Sequence, residues 1–263
     1  MFWIALVLGV VEGLTEFLPI SSTGHLIITS ELMGFEGRRA EVFQIFIQLG
    51  AILAVVWEFR ASLGRAVLGL VRPGPNRAFG FKIGLAFAPS AIAGLLLHDF
   101  LVQNLFFPAT VAAALIVGAV LILVVEALPL RMRTHDVEST SWGQSLGIGL
   151  AQCVALWPGF SRSAATILGG LVAGLDRRAA TEFSFFLAIP TMFAAAGYKL
   201  LKTYDWLRPG DVGWLALAFG VSFFVAWISI RWLLRYVATH SFRAFAWYRL
   251  VVGVIILLVI NGK

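Results

Sequence analysis

Six apolar stretches of about bilayer length recur along the chain, at 41–59, 78–97, 105–128, 179–201, 212–234 and 244–261. A helix needs about 20 apolar residues to cross the hydrocarbon layer, so each stretch predicts a transmembrane helix. Two further apolar regions are interrupted. Residues 2–18 and 25–34 flank one polar cluster, and residues 143–157 and 163–174 flank a second. Each flank is too short, or too broken by Pro and Gly, to cross alone, so each pair predicts a re-entrant helical hairpin. Irregular backbone at membrane depth is tolerated only where protein buries it or where it lines a cavity. The expected fold is an all-α polytopic membrane protein with six transmembrane helices and two re-entrant helical hairpins, forming a single integral membrane domain over 1–263.

The two clusters look like copies. The first reads Glu12-Gly-Leu-Thr-Glu16-Phe-Leu-Pro19-Ile-Ser21-Ser22-Thr23-Gly24-His25, and the second Gln152-Cys-Val-Ala-Leu-Trp-Pro158-Gly159-Phe-Ser161-Arg162-Ser163-Ala-Ala-Thr166. A shift of 139 positions lays Pro19 on Pro158, Ser22 on Ser161, and Arg38-Arg39-Ala40 on Arg177-Arg178-Ala179. Each half, about 1–130 and about 140–263, then carries one hairpin and three spans. An odd number of spans inverts the second half, which predicts an inverted-topology repeat with its site where the broken helices meet.

Composition sharpens this picture. The chain has 263 residues, 60% of them hydrophobic and only 13% charged. A soluble domain has about 25% charged residues. The net charge of +6 does not point to nucleic acid, because basic residues of membrane proteins collect in cytoplasmic loops. With 60–82 on the cytoplasmic side, that side holds Arg60, Arg65, Arg72, Arg77, Lys82, Arg131, Arg133, Arg177, Arg178, Arg231, Arg235, Arg243 and Arg249. The other side holds Arg38, Arg39, Lys199, Lys202, Arg208 and Lys263, so the positive-inside rule puts both termini outside. The N-terminus lacks a basic leader and an Ala-x-Ala site, and reads as retained. The lone Cys153 reads as a small buried hydrophobe.

Charged and polar groups are costly in hydrocarbon, so their presence at the two breaks points to function. Glu12 and Glu16 are four apart and share a helix face. Two close carboxylates need a proton or a cation between them, and hard oxygen pairs suit Mg²⁺ or Ca²⁺. Ser21, Ser22 and Thr23, like Ser161 and Ser163, open new helices in an N-cap pattern, and helix N-termini favour phosphate. Arg162 adds a planar fork for phosphate oxygens. For Ser21, Ser163 and Thr166, capping or packing accounts for the residue as well as catalysis does. His25 lies two residues beyond Thr23 and can exchange protons near neutral pH. His98, His135 and His240 fall at span ends or loops and look ordinary, and Asp136 and Glu138 read as solvated loop charges. The set amounts to an anion site with a metal option, a nucleophile and a base, which fits phosphoryl transfer on a lipid-anchored phosphate.

Both signatures, 12–25 and 158–166, together with Phe183-Ser184-Phe185-Phe186-Leu187-Ala188-Ile189-Pro190, resemble the bacterial undecaprenyl-diphosphate phosphatase family, known for bacitracin resistance. The resemblance covers essentially the whole chain. It implies hydrolysis of undecaprenyl diphosphate to undecaprenyl phosphate and inorganic phosphate, a divalent-cation requirement, and a site open to the periplasmic side of the bacterial inner membrane. Under that resemblance Glu12 and Glu16 hold the metal, Arg162 and the N–H groups near Ser161 clamp the diphosphate, and Ser22 attacks phosphorus or orients a water. His25 or Glu16 moves the proton, and Ser21, Thr23, Ser161, Ser163 and Thr166 line the substrate. A homodimer stays open.

Two rivals come from other classes. Lipid-phosphate phosphatases with a histidine nucleophile need His and Asp where this chain has Leu168 and Val172. A polyprenyl-phosphate flippase or transporter, alone or combined with the phosphatase, would also use inverted repeats and buried carboxylates.

Overall fold

The computed structural model describes residues 1–71, 75–203, 205 and 209–261. Among them it has twelve α-helices and no β-sheet. The helices are α1 (Phe2–Thr15), α2 (Ser22–Leu32), α3 (Arg38–Glu58), α4 (Arg60–Val71), α5 (Pro75–Leu96), α6 (His98–Leu105), α7 (Pro108–Ala127), α8 (Trp142–Gln152), α9 (Arg162–Val172), α10 (Arg177–Thr203), α11 (Val212–Val237) and α12 (Arg243–Asn261). Five of these, α3, α5, α7, α10 and α11, are long and apolar enough to cross a membrane, so the chain is a multi-pass membrane protein. The sixth expected span coincides with α12, a 19-residue apolar helix. Large apolar side chains stand exposed along α7 and α12, among them Val117, Val120, Val124, Val251, Val254 and Ile255, as lipid-facing surfaces require.

The expected flanks of the two breaks emerge as α1 with α2, and as α8 with α9. The sequence did not signal α4 or α6. Residues 60–71 read as a basic loop, yet they form a helix that packs on α5. Arg72, Arg208 and Lys263, which entered the orientation argument, lie outside the described residues, as does the side chain of Arg77.

Short helices that stop inside an apolar interior leave carbonyls and N–H groups without partners, and each must be satisfied locally. The same device serves both breaks. Ser21 (φ 71°, ψ 94°) caps α2 and accepts from the Gly24 N–H, while Ser161 (φ 79°, ψ 116°) caps α9 and accepts from the Ala164 N–H. They are the only non-glycine residues with positive φ among those described. Side chains rarely tolerate that region, and such strain concentrates at functional sites.

This fixes the correspondence between the breaks and corrects the expected alignment. Ser21, not Ser22, matches Ser161, so Ser22 lies opposite Arg162. One residue separates Pro19 from Ser21, whereas Gly159 and Phe160 separate Pro158 from Ser161. The extra residue is accommodated at Gly159 (φ 94°), where a Cβ would collide with the Val111 carbonyl of α7. The prolines therefore align at one offset and the caps at the next.

A second correction concerns Arg249. The positive-inside count places it on the cytoplasmic side, but it is a fully buried side chain within α12. Its Nε donates to the Leu115 carbonyl (3.2 Å) and its Nη1 to that of Pro19 (3.2 Å). Its Nη2 is shared among the carbonyls of Ala114 (3.2 Å), Gly159 (3.3 Å) and Phe160 (2.8 Å). Gly118 leaves the space that the guanidinium fills, since a Cβ there would strike it. One side chain thus satisfies carbonyls from both breaks and ties them to α7.

Arg249→Leu should lower stability by about 3–5 kcal/mol, because it strands several buried acceptors at once. Arg249→Lys should recover only part of that loss, since an ammonium cannot reproduce the fork. Thermal unfolding in detergent checks both; a wild-type midpoint in Arg249→Leu would contradict the role.

Candidate functional site

The end of α1 and the start of α9 bring the two clusters into contact. Glu16 continues the last turn of α1, its N–H bonded to the Glu12 carbonyl (2.9 Å), so both carboxylates lie on one face as the spacing predicted. The Glu16 Oε1 accepts from the Arg162 Nη2 at 3.2 Å, and both side chains are largely buried. The Glu16 Oε2 accepts from the Ser22 hydroxyl at 2.5 Å. One carboxylate therefore links the hydroxyl of the first break to the guanidinium of the second.

Arg162 is held from three sides. Its Nη1 donates to the Ser184 carbonyl (3.1 Å) and hydroxyl (3.3 Å) on α10. Its Nη2 also lies 3.9 Å from the Met192 sulfur, and its guanidinium carbon sits 5.7 Å from the Phe17 ring centroid. Its Nε has no acceptor. A guanidinium held through both terminal nitrogens that still has N–H groups without acceptors suits an anion.

The other expected hydroxyls brace the tips. Ser163 donates to the Leu18 carbonyl (2.8 Å), bridging the second break to the first, and its oxygen lies 3.0 Å from that of Ser161. Thr166 bonds to the Ser184 hydroxyl at 2.7 Å, behind Arg162. Thr23 stands half-buried on the first turn of α2. His25 is engaged at both nitrogens, Nδ1 with the Ser21 carbonyl and Nε2 with the Tyr248 hydroxyl, each at 2.7 Å.

Glu12 is different. It is 0% exposed, and neither carboxylate oxygen has a hydrogen-bond donor. It feels the charges of Glu16, Lys199 and Arg162. A buried carboxylate without a donor calls for a proton or a cation. Among the described residues no three acidic, His or Cys side chains cluster as a metal cage. Two carboxylates with substrate phosphates are nonetheless the usual coordination that Mg²⁺ accepts.

Sequence reasoning missed Ser184, Lys199, Tyr248 and Arg249. Ser184 lies within the apolar 183–190 stretch already singled out. The others carried no local signal, because their partners are far away in the chain. Cys153 is partly exposed, and His135 pairs with Asp176 at 2.9 Å. Glu138, read as a solvated loop charge, forms an exposed pair with Arg65 at 3.1 Å.

The family model described as bacitracin resistance protein BacA matches residues 5–255. An undecaprenyl-diphosphatase of Pseudomonas putida is 52% identical over 259 residues, covering 97% of this chain and 94% of that protein. One from Ectopseudomonas mendocina is 53% identical over 253 residues, covering 96% and 92%. Undecaprenyl-diphosphatase 1 of Chromobacterium violaceum is 52% identical over 258 residues, covering 98% and 96%.

The two adjacent serines at the first break should respond differently to truncation. Ser21→Ala removes a helix cap, worth about 0.5–2 kcal/mol, and should lower the thermal midpoint by a few degrees. Ser22→Ala removes only the contact with Glu16 and should leave the midpoint within about 2 °C. Paired melting curves check this.

Proposed function

The chain belongs to the bacitracin resistance protein BacA family, and from that membership we infer that it is an undecaprenyl-diphosphatase. It hydrolyses undecaprenyl diphosphate to undecaprenyl phosphate and inorganic phosphate, the step that recycles a carrier lipid for envelope synthesis. The observation that carries the reading into this chain's own chemistry is the single carboxylate of Glu16 shared by Ser22 and Arg162.

The mechanism follows from that sharing. Arg162, already fixed by Ser184, binds the non-bridging oxygens of the terminal phosphate through its unused N–H capacity. The cap N–H groups near Ser161 add donors and a favourable helix dipole. Ser22 attacks the terminal phosphorus and passes its proton to Glu16, the carboxylate it already touches. The bond to the bridging oxygen breaks, and undecaprenyl phosphate leaves with that oxygen. Water then displaces phosphate from Ser22, with Glu16 returning the proton. In an alternative with the same groups, Ser22 orients the attacking water. Glu16 is favoured as the base over His25, whose two nitrogens are occupied elsewhere.

The residues present fit a divalent cation. Glu12, with two oxygens lacking donors, would hold it together with Glu16. Mg²⁺ or Ca²⁺ would neutralise charge on the diphosphate oxygens. Lys199, which feels Glu12, Glu16 and Glu41, adds positive charge on the same side of α10 as Met192.

The finer topology is part of this reading: six spans, two re-entrant hairpins, and two inverted halves within one domain. Its support is reciprocal packing. α1 packs on α11 as α8 packs on α5, and α7 packs on α12. A Cβ at Gly9 would meet the Ala218 carbonyl of α11, and one at Gly149 the Ala86 carbonyl of α5. The bias of Arg and Lys favours termini on the outer side, and family membership supports a site open to the periplasmic side of the inner membrane. Every group in the constellation comes from one chain, so a homodimer would add no residue to it.

Purified protein in detergent should release phosphate from a C55 diphosphate, where no leaflet exists to cross and lipid movement alone yields nothing. Chelation should abolish release. Arg162→Ala and Glu16→Gln should each lower kcat/KM at least about 100-fold, the scale on which a charge-stabilising group acts. Full activity in either variant would overturn the assignment of these residues, and a trapped phosphoserine at Ser22 would establish the covalent route.

A further inference from the structure

Tyr248 precedes Arg249 in α12, and the catalytic scheme does not use it. It is 44% exposed, yet its hydroxyl reaches inward to the His25 Nε2 at 2.7 Å. The two rings lie parallel, 4° apart in plane, with centroids 5.5 Å apart. The other nitrogen of His25 faces the Ser21 carbonyl at 2.7 Å.

Donor and acceptor logic fixes the direction of this chain. A carbonyl only accepts, so the Nδ1 of His25 carries the proton and donates to Ser21. In the neutral ring Nε2 is then a lone pair, and the Tyr248 O–H must donate to it. The hydroxyl thereby selects one tautomer and one ring plane. The carbonyl so held belongs to Ser21, the positive-φ residue immediately before Ser22. The adjacent Arg249 holds the Pro19 carbonyl, two residues upstream of Ser21. Consecutive side chains of α12 therefore pin the strained turn from both ends, one through its entry and one through its cap.

We propose that Tyr248 is a positioning residue of the phosphatase reaction: its hydroxyl orients His25, which anchors the Ser21 turn and so holds the Ser22 hydroxyl against Glu16. The proposal rests on the reading of Ser22 and Glu16 given above. It gives His25 a structural duty at the site, that of a strut rather than a proton acceptor. A tyrosine placed on α12 only to meet the lipid boundary would need its ring but not this hydrogen bond.

Tyr248→Phe keeps the ring and removes the donor. In the full-length protein in detergent, kcat on a C55 diphosphate should fall about three- to tenfold, the range for one lost hydrogen bond, with KM within about twofold. The thermal midpoint should stay within about 2 °C. With ¹⁵N-labelled histidine, and His25 assigned by its loss in His25→Ala, the wild-type signal should show the Nδ1–H form and Tyr248→Phe a mixture of tautomers. An unchanged kcat, an effect confined to KM, or an unchanged His25 signal would each overturn the proposal. If the wild-type protein released no phosphate, the phosphatase reading would fail, while the His25 spectrum would still report whether Tyr248 governs the imidazole.

Discussion

Two helical runs break in the middle of an apolar protein, and the carbonyls of the intervening segments cannot turn to water. Arg249 resolves this constraint. Its guanidinium gathers the carbonyls of Pro19 from the first break and of Gly159 and Phe160 from the second, together with two from α7. Five acceptors around one planar cation is a dense arrangement, and it substitutes for the solvent that a surface helix end would use. Because both breaks are fastened to the same group, their separation is set. The contact between Glu16 and Arg162 follows from that spacing.

The two breaks share a backbone and differ in chemistry. Each opens with a serine at positive φ whose side chain caps the following helix. At the next position the first carries Ser22 and the second Arg162. Near the end of the leading helix, Glu12 in the first half corresponds to Gln152 in the second under the same cap-to-cap register. Gln152, a neutral amide, bonds instead to Ser90 on α5 and Thr191 on α10. Acid and hydroxyl on one tip thus confront a guanidinium on the other. Their mutual pairing limits the cost of burying each, while the Glu12 carboxylate and the Arg162 Nε–H stay without hydrogen-bond partners.

The support around this constellation is layered by distance from the reacting groups. Ser184 fixes Arg162, and Thr166 bonds to Ser184. Ser163 ties the second break to the carbonyl of Leu18 in the first. Hydroxyls that resemble a substrate-binding set in sequence are in large part the scaffold that holds the charged groups in register.

The six long apolar stretches, the two interruptions and the polar residues that meet at the two tips were legible in the chain itself. Hydrophobic length, Pro and Gly breaks, and carboxylates and an arginine amid apolar neighbours are local signals. The cap identities were partly legible: the serines stood out, but the offset was misjudged, because only backbone conformation distinguishes a cap from its neighbour. Arg249 was misread because a single arginine near a helix start has the same sequence signature whether it meets headgroups or five carbonyls. Tyr248 and Lys199 were silent for a related reason, since their partners are more than 150 positions away. Composition and periodicity decided that helices must form and where they must break. Tertiary structure alone decided which buried polar groups would satisfy one another, because a hydrogen bond between distant segments is a property of packing and leaves no periodic trace in the sequence.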